Sequence, residues 1–252
     1  MAMYFDNPIM VLAIALIAQA VAAYMGDFLR KRAQSFKQGE RHDFNIVQAA
    51  TLTLLALIIG FSFSMAVSRY DQRKNLEEAE ANAIGTEYLR ADLLPGDSGP
   101  RVRDLLRQYL DLRIAFYEEG STRRVADMEK QTASVQNELW SAVRARADDH
   151  PTPTMALVLS GMNDVINAQG YTQAAWWNRI PVGAWAMMAL MAISCNALIG
   201  YSERRKGELL LFILPFVISV ALFLIADLDS PRGGVIRVHP QNLLAAGQVM
   251  KQ

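Results

Sequence analysis

The stretch FNIVQAATLTLLALIIGFSFSMAVS, Phe44–Ser68, is 25 residues long and holds no Asp, Glu, Lys, Arg or His. As a helix it is long enough to cross the ~30 Å hydrocarbon core of a bilayer. It runs without a proline into RYDQRKNLEEAEANAIGTEYLRADLL, Arg69–Leu94, where good helix formers are interrupted only by Gly85, as Gly60 alone interrupts the stretch before. Together they predict one helix, ~75 Å long, that crosses a membrane and continues well beyond it. So long an overhang does not hold itself up, because helical stability in proteins comes mainly from tertiary packing. A bundle or an oligomer is therefore expected around it.

Three more charge-free windows lie outside this stretch: Asn7–Gly26, Ile180–Ser202 and Leu209–Ala226, of 20, 23 and 18 residues. All the charge of the chain, 25 basic and 25 acidic residues, is confined to what remains. Four such windows in 252 residues leave too little chain to cover them as a soluble core. The sequence predicts an all-α membrane protein with four transmembrane helices in two pairs. Spans 1 and 2 fall in residues 1–68, a helical extramembrane domain in 69–179, spans 3 and 4 in 180–228, and a tail in 229–252. The first span could also be read as a leader, because Ala18-Gln19-Ala20 resembles a small-residue cleavage site, but the residues before it carry no Lys or Arg.

Between the pairs, Pro95-Gly96-Asp97-Ser98-Gly99-Pro100 and His150-Pro151-Thr152-Pro153 are breaks. They frame expected helices over Arg101–Glu119, from an N-cap at Ser121 to about Asp149, and from near Thr154. In the tail, Gly233–Val238 alternates briefly and suggests a short strand. Trp176, Trp177 and Trp185, at the entry to the third span, read as interfacial anchors, and Pro215 as a kink in the fourth.

Net charge is zero, which excludes a nucleic-acid binder working by bulk positive charge. The single Cys195 excludes a disulfide framework and reads as a packing residue. His42, His150 and His239 have no ligand-like spacing, and no phosphate loop or nucleophile motif is present, so neither a metal, a cofactor nor an enzyme is expected. Gln19, Ser194, Asn196 and Ser219 are polar residues within spans, suited to hydrogen bonds between helices.

The long helix carries the functional signal. Gln48, Thr51, Leu55, Ile59, Ser62, Ala66, Arg69, Arg73, Glu77, Glu80, Ile84 and Glu87 share one face. A helix lining a pore could use such a face, with Leu55 and Ile59 as a dewettable constriction and Arg69, Arg73, Glu77, Glu80 and Glu87 as mouth charges. The same face could equally contact another span, its charges pairing internally one turn apart. Gly60, Ser64 and Ser68 form a row of small residues on a different face, suited to close helix approach.

Basic residues argue for orientation. Arg30, Lys31, Arg32, Lys37 and Arg41 lie between spans 1 and 2, and Arg204, Arg205 and Lys206 between spans 3 and 4. These short loops are expected in the cytoplasm, with the central domain and both termini on the other side.

Gly60-Phe61-Ser62-Phe63-Ser64, Tyr70-Asp71-Gln72-Arg73, and Glu80-Ala81-Asn82-Ala83-Ile84-Gly85-Thr86-Glu87-Tyr88-Leu89-Arg90 with Leu93-Leu94-Pro95 resemble bacterial bestrophin-like proteins. Asp227-Leu228-Asp229-Ser230-Pro231-Arg232-Gly233-Gly234 fits the same group, so the resemblance covers roughly Leu54–Tyr109 and Leu209–Val238. It implies a pentamer in the inner membrane, with an ion-selective pore lined by span 2 and an apolar neck at Leu55, Ile59 and Phe63. Its partners would be the lipid bilayer, copies of itself and inorganic ions. Bestrophins keep their central domain cytosolic, the reverse of what the basic loops argue here. The rival expectation is a non-conducting sensor or scaffold whose helical domain binds a partner protein.

Overall fold

The computed structural model describes residues 7–32, 38–149, 151–202 and 208–251. Eight α-helices follow one another: α1 (Pro8–Arg32), α2 (Gln38–Arg90), α3 (Ser98–Glu118), α4 (Thr122–Asp149), α5 (Pro153–Trp177), α6 (Val182–Ser202), α7 (Glu208–Asp229) and α8 (Gln241–Met250). A 3₁₀ turn at Ala91–Leu93 ends α2. No strand occurs among the described residues. Four stretches are long and apolar enough to cross a membrane, in α1, α2, Pro153–Ser202 and α7, and within the third the charge-free residues belong to α6. The protein is a multi-pass membrane protein.

The chain divides into two compact units: Met1–Arg69 with Arg179–Arg237, and Tyr70–Asn178 with Val238–Gln252. In the first, α1 and α6 cross where both are small. A Cβ on Gly26 would lie 2.1 Å from the Ala197 carbonyl oxygen, and one on Gly200 would lie 1.9 Å from that of Ala23. Lacking a hydrophobic drive inside lipid, helices associate through such close backbone packing and interhelical hydrogen bonds. The hydrogen bonds follow one turn away. Gln19 Nε2 donates to Ser219 Oγ at 3.0 Å, and Asn196 Nδ2 donates to Gln19 Oε1 at 2.9 Å, joining α1, α6 and α7. Around this centre Ile9, Ile17, Leu190 and Phe212 stay exposed, as side chains facing hydrocarbon do.

The end of α7 is fastened by two carboxylates. Asp229 accepts from the backbone N–H of Ile180 at 3.0 Å and pairs with Arg69 at 3.6 Å. Asp227 accepts from the N–H groups of Val235 at 2.7 Å and Ile236 at 2.8 Å. The strand expected over Gly233–Val238 is therefore not formed, because the donors a ladder would need are taken by one side chain. Gly234 lets this loop close, since a Cβ there would lie 2.6 Å from the Asp227 carbonyl oxygen.

The second unit is a helical bundle whose core includes Ile84, Val102, Leu106, Leu139, Val158, Met162, Val165 and Leu243. Pro100 falls in the first turn of α3, where no N–H is needed, so that helix begins at Ser98 rather than Arg101. Gly96 turns the chain ahead of it at φ +64°, which glycine adopts without a steric penalty. Thr152 Oγ1 accepts from Met155 N at 3.2 Å and caps α5, with Pro153 at its start. Trp176 is 5% exposed and packs on Phe116 and Tyr117, at centroid distances of 5.0 and 5.4 Å. It is a core residue of this unit, not an interfacial anchor; its neighbour Trp177 is exposed. Pro215 lies inside α7.

Candidate functional site

The two faces of α2 behave oppositely. On the face that runs from Gln48 to Glu87, Leu55 is 2% exposed, Ser62 4% and Ala66 0%, while Gln48, Thr51 and Ile59 are half-buried. The Thr51 hydroxyl donates to the Val47 carbonyl at 2.8 Å, so it is satisfied within the helix. Leu55, Ser62 and Ala66 are thus covered by the protomer itself. Phe63 lies off this face and is exposed.

Beyond Arg69, whose partner Asp229 has been described, the charges of this face are buried in the second unit. Arg73 is 1% exposed. Glu77 accepts from Asn242 N at 2.9 Å, Asn242 Nδ2 at 2.6 Å and Leu243 N at 2.9 Å, which caps the N-terminus of α8. Glu80 pairs with Arg113 Nε and accepts from Thr172 Oγ1 at 3.1 Å. Tyr117 Oη donates to the same carboxylate at 3.4 Å. Burial, with Glu80 alongside, pushes the Tyr109 and Tyr117 phenols above their ordinary range. Burial opposes the Arg113 charge, but Glu80 together with Tyr109 and Tyr117 holds the guanidinium above its usual value. A buried charge is tolerated only when paired and hydrogen-bonded, and these carboxylates join α3, α5 and α8 to α2.

Glu87 differs. It is fully buried, neither carboxylate oxygen has a hydrogen bond, and the nearest cation is Arg90 at 3.8 Å. Burial pushes its carboxyl up to about 8.

The opposite face is open. Thr53, Leu57, Gly60, Phe61, Ser64 and Ser68 are exposed in the first unit, and Asp71, Asn75, Glu78, Asn82 and Thr86 in the second. Nothing lies within 4 Å of where a Gly60 Cβ would be. This row includes Gly60, Ser64 and Ser68, singled out from the sequence as a small-residue row, together with the exposed Leu57 and Phe61, which were not singled out. Among the described residues no group of three His, Cys, Asp or Glu could hold a metal ion. Lys37, His150, Arg204, Arg205 and Lys206 lie outside the described residues.

The family model for the bestrophin-like domain matches residues 13–243. The chain belongs to the bestrophin-like family. Solved structures of a bacterial bestrophin homologue from Klebsiella pneumoniae share the fold of this bestrophin-like chain. A variant of that protein superposes with a TM-score of 0.64 at 13% identity, covering 95% of this chain and 94% of that one. A second variant gives 0.62 at 14% identity, with 95% and 98% covered. A structure phased on zinc gives 0.61 at 15% identity, with 96% and 95% covered. None of the curated proteins matches the sequence. At these identities the likeness establishes the bestrophin fold, and roles for residues of the bestrophin-like chain come from its own geometry.

Proposed function

We propose that this bestrophin-like chain is the subunit of a homo-oligomeric ion channel, a pentamer in the bacterial inner membrane, with the open face of α2 turned to the conduction path. One observation carries the reading. The inward face of α2 is largely covered by this chain's own packing, while a continuous row from Thr53 to Ser68 stays exposed and sets Leu57 and Phe61 between small and hydroxyl residues. Leu57 at 52% and Phe61 at 64% exposure supply the apolar ring that gates by dewetting. They take the role that the helical pattern gave to Leu55 and Ile59 and that the resemblance extended to Phe63. Gly60, Ser64 and Ser68 let neighbouring copies of α2 approach closely. Further out, Asp71 and Glu78 on the same row would ring the path with negative charge, which favours cations.

Thiol modification in a bilayer tests this. A charged, water-soluble reagent should block current through Leu57→Cys and Phe61→Cys and leave Leu55→Cys untouched. Block at Leu55→Cys alone would reverse the assignment.

The positive-inside argument orients the protein with its short loops in the cytoplasm and the helical domain outside. A second reading has support of its own. Leu89, Leu93 and Leu157 are 66%, 48% and 55% exposed on the extramembrane unit, a surface that a partner protein of a non-conducting sensor or scaffold could use.

A further inference from the structure

We propose that Glu87 is a proton-binding switch at the crossing of α2 and α5: protonated, it lets the two helices close, and ionised, it drives them apart. The geometry makes the carboxyl part of the contact. Gly161 of α5 faces Glu87 so closely that a Cβ there would lie 2.0 Å from Glu87 Oε2 and 2.2 Å from Arg90 Nη1. The flanking Val158, Met162 and Val165 of α5 and Ile84 of α2 are all 0% exposed, so the carboxyl sits among packed apolar side chains.

Two charged groups act on the carboxyl. Arg90, on the same helix, stands at 3.8 Å and favours ionisation, whereas Asp164 of α5 opposes it. Other buried carboxylates of this unit are met by donors, Glu77 by three and Glu80 by Arg113, Tyr117 and Thr172. Glu87 alone among these three has none, which suits a neutral acid better than an anion.

The carboxyl is held at about 8, against 4.5 for a free glutamate. The folded crossing therefore binds the proton more tightly than the open one. The stabilisation is whole below the ordinary carboxylate range and is lost as pH rises towards 8, about tenfold in the closed-to-open ratio for each unit. The proton comes from solvent and returns to it. Any effect on conduction rests on the channel reading above, since α2 is then the helix being released; proton binding itself does not depend on it.

The experiment is infrared titration of the full chain in nanodiscs, following the C=O stretch of protonated carboxyls, alongside amide hydrogen exchange in α5. The wild type should lose one such band with a midpoint near 8, and exchange around Gly161 should rise over the same range. Glu87→Gln should lack the band and show flat exchange. Asp164→Asn keeps the carboxyl and should move the midpoint to lower pH, while Arg90→Gln should move it higher. A band that survives in Glu87→Gln, a wild type with no titration near 8, or a midpoint indifferent to Asp164 and Arg90 would overturn the switch. A protein that shows the titration yet carries no current at any pH would leave the switch standing and count against the channel alone.

Discussion

Glu77 on α2 and Leu243 on α8 stand 166 residues apart in sequence and share a hydrogen bond of 2.9 Å, the Leu243 N–H donating to the Glu77 carboxylate. With the two bonds from Asn242, that carboxylate serves as the cap of a helix it does not belong to. At the other end of α8 the Met250 carbonyl accepts from Tyr88 Oη and Arg107 Nε, each at 3.1 Å. The C-terminal helix is thus held at both ends.

Replacing Glu77 by Ala should release α8 from its first turn. Losing a cap costs ~1–2 kcal/mol, and the freed N–H groups of Asn242 and Leu243 add to it. Amide exchange in residues 241–250 should rise well above that elsewhere in the bundle. Exchange that speeds up equally throughout the unit would mean that Glu77 holds the whole bundle rather than this helix.

The Glu80–Arg113 pair is fully buried, with side-chain exposure of 0% for both partners. Arg113→Met alone strands a carboxylate and should cost ~3–5 kcal/mol, whereas adding Glu80→Leu should recover much of the loss. Thermal unfolding of the single and double variants measures the coupling. A double variant no better than the single one would show that Tyr117 and Thr172 are enough for Glu80.

Glycines should separate by their surroundings. Gly200→Ala drives a methyl group into the Ala23 carbonyl and should cost ~1–3 kcal/mol or more through overpacking of α1 against α6. Gly60→Ala meets open space within the protomer and should leave its fold intact, or steady α2 by up to ~1 kcal/mol from helix propensity. If Gly60→Ala weakens the oligomer on size exclusion while the monomer stays folded, the row containing it is an intersubunit surface.

A reporter fused after Gln252 that works only outside the cytoplasm should be active, because Arg30, Lys31, Arg32, Lys37 and Arg41 crowd the short connection between spans 1 and 2. Activity of a cytoplasm-only reporter at that point would invert the orientation.

The spans were legible because a run of 18 to 25 residues without charge has few soluble explanations. The breaks at Pro95–Pro100 and before Thr154 were legible because proline and glycine act locally. Which face of α2 the protomer itself covers was not. Both faces are semi-polar, and periodicity reports that a stripe exists without saying whether the chain's own helices or another copy cover it. Glu77 and Glu80 read in sequence as mouth charges or as charges paired one turn apart, since their partners Asn242, Arg113 and Thr172 are remote. Helix α8 escaped notice because its cap belongs to Glu77, far from the tail. The alternation at Gly233–Val238 suggested a strand because six residues cannot reveal that Asp227 will take the donors.

The central claim is that the open row of α2, not the buried one, meets the conduction path. Its most direct test is single-channel conductance in planar bilayers for the wild type, Leu57→Ala, Phe61→Ala and Leu55→Ala. Widening an apolar neck admits water, so Leu57→Ala and Phe61→Ala should raise conductance with assembly preserved. Leu55→Ala should instead leave a cavity inside the protomer, lowering stability by ~2–5 kcal/mol with unit conductance unchanged. Silence of all four proteins across voltage, pH and divalent ions, or a conductance change confined to Leu55→Ala, would contradict the account.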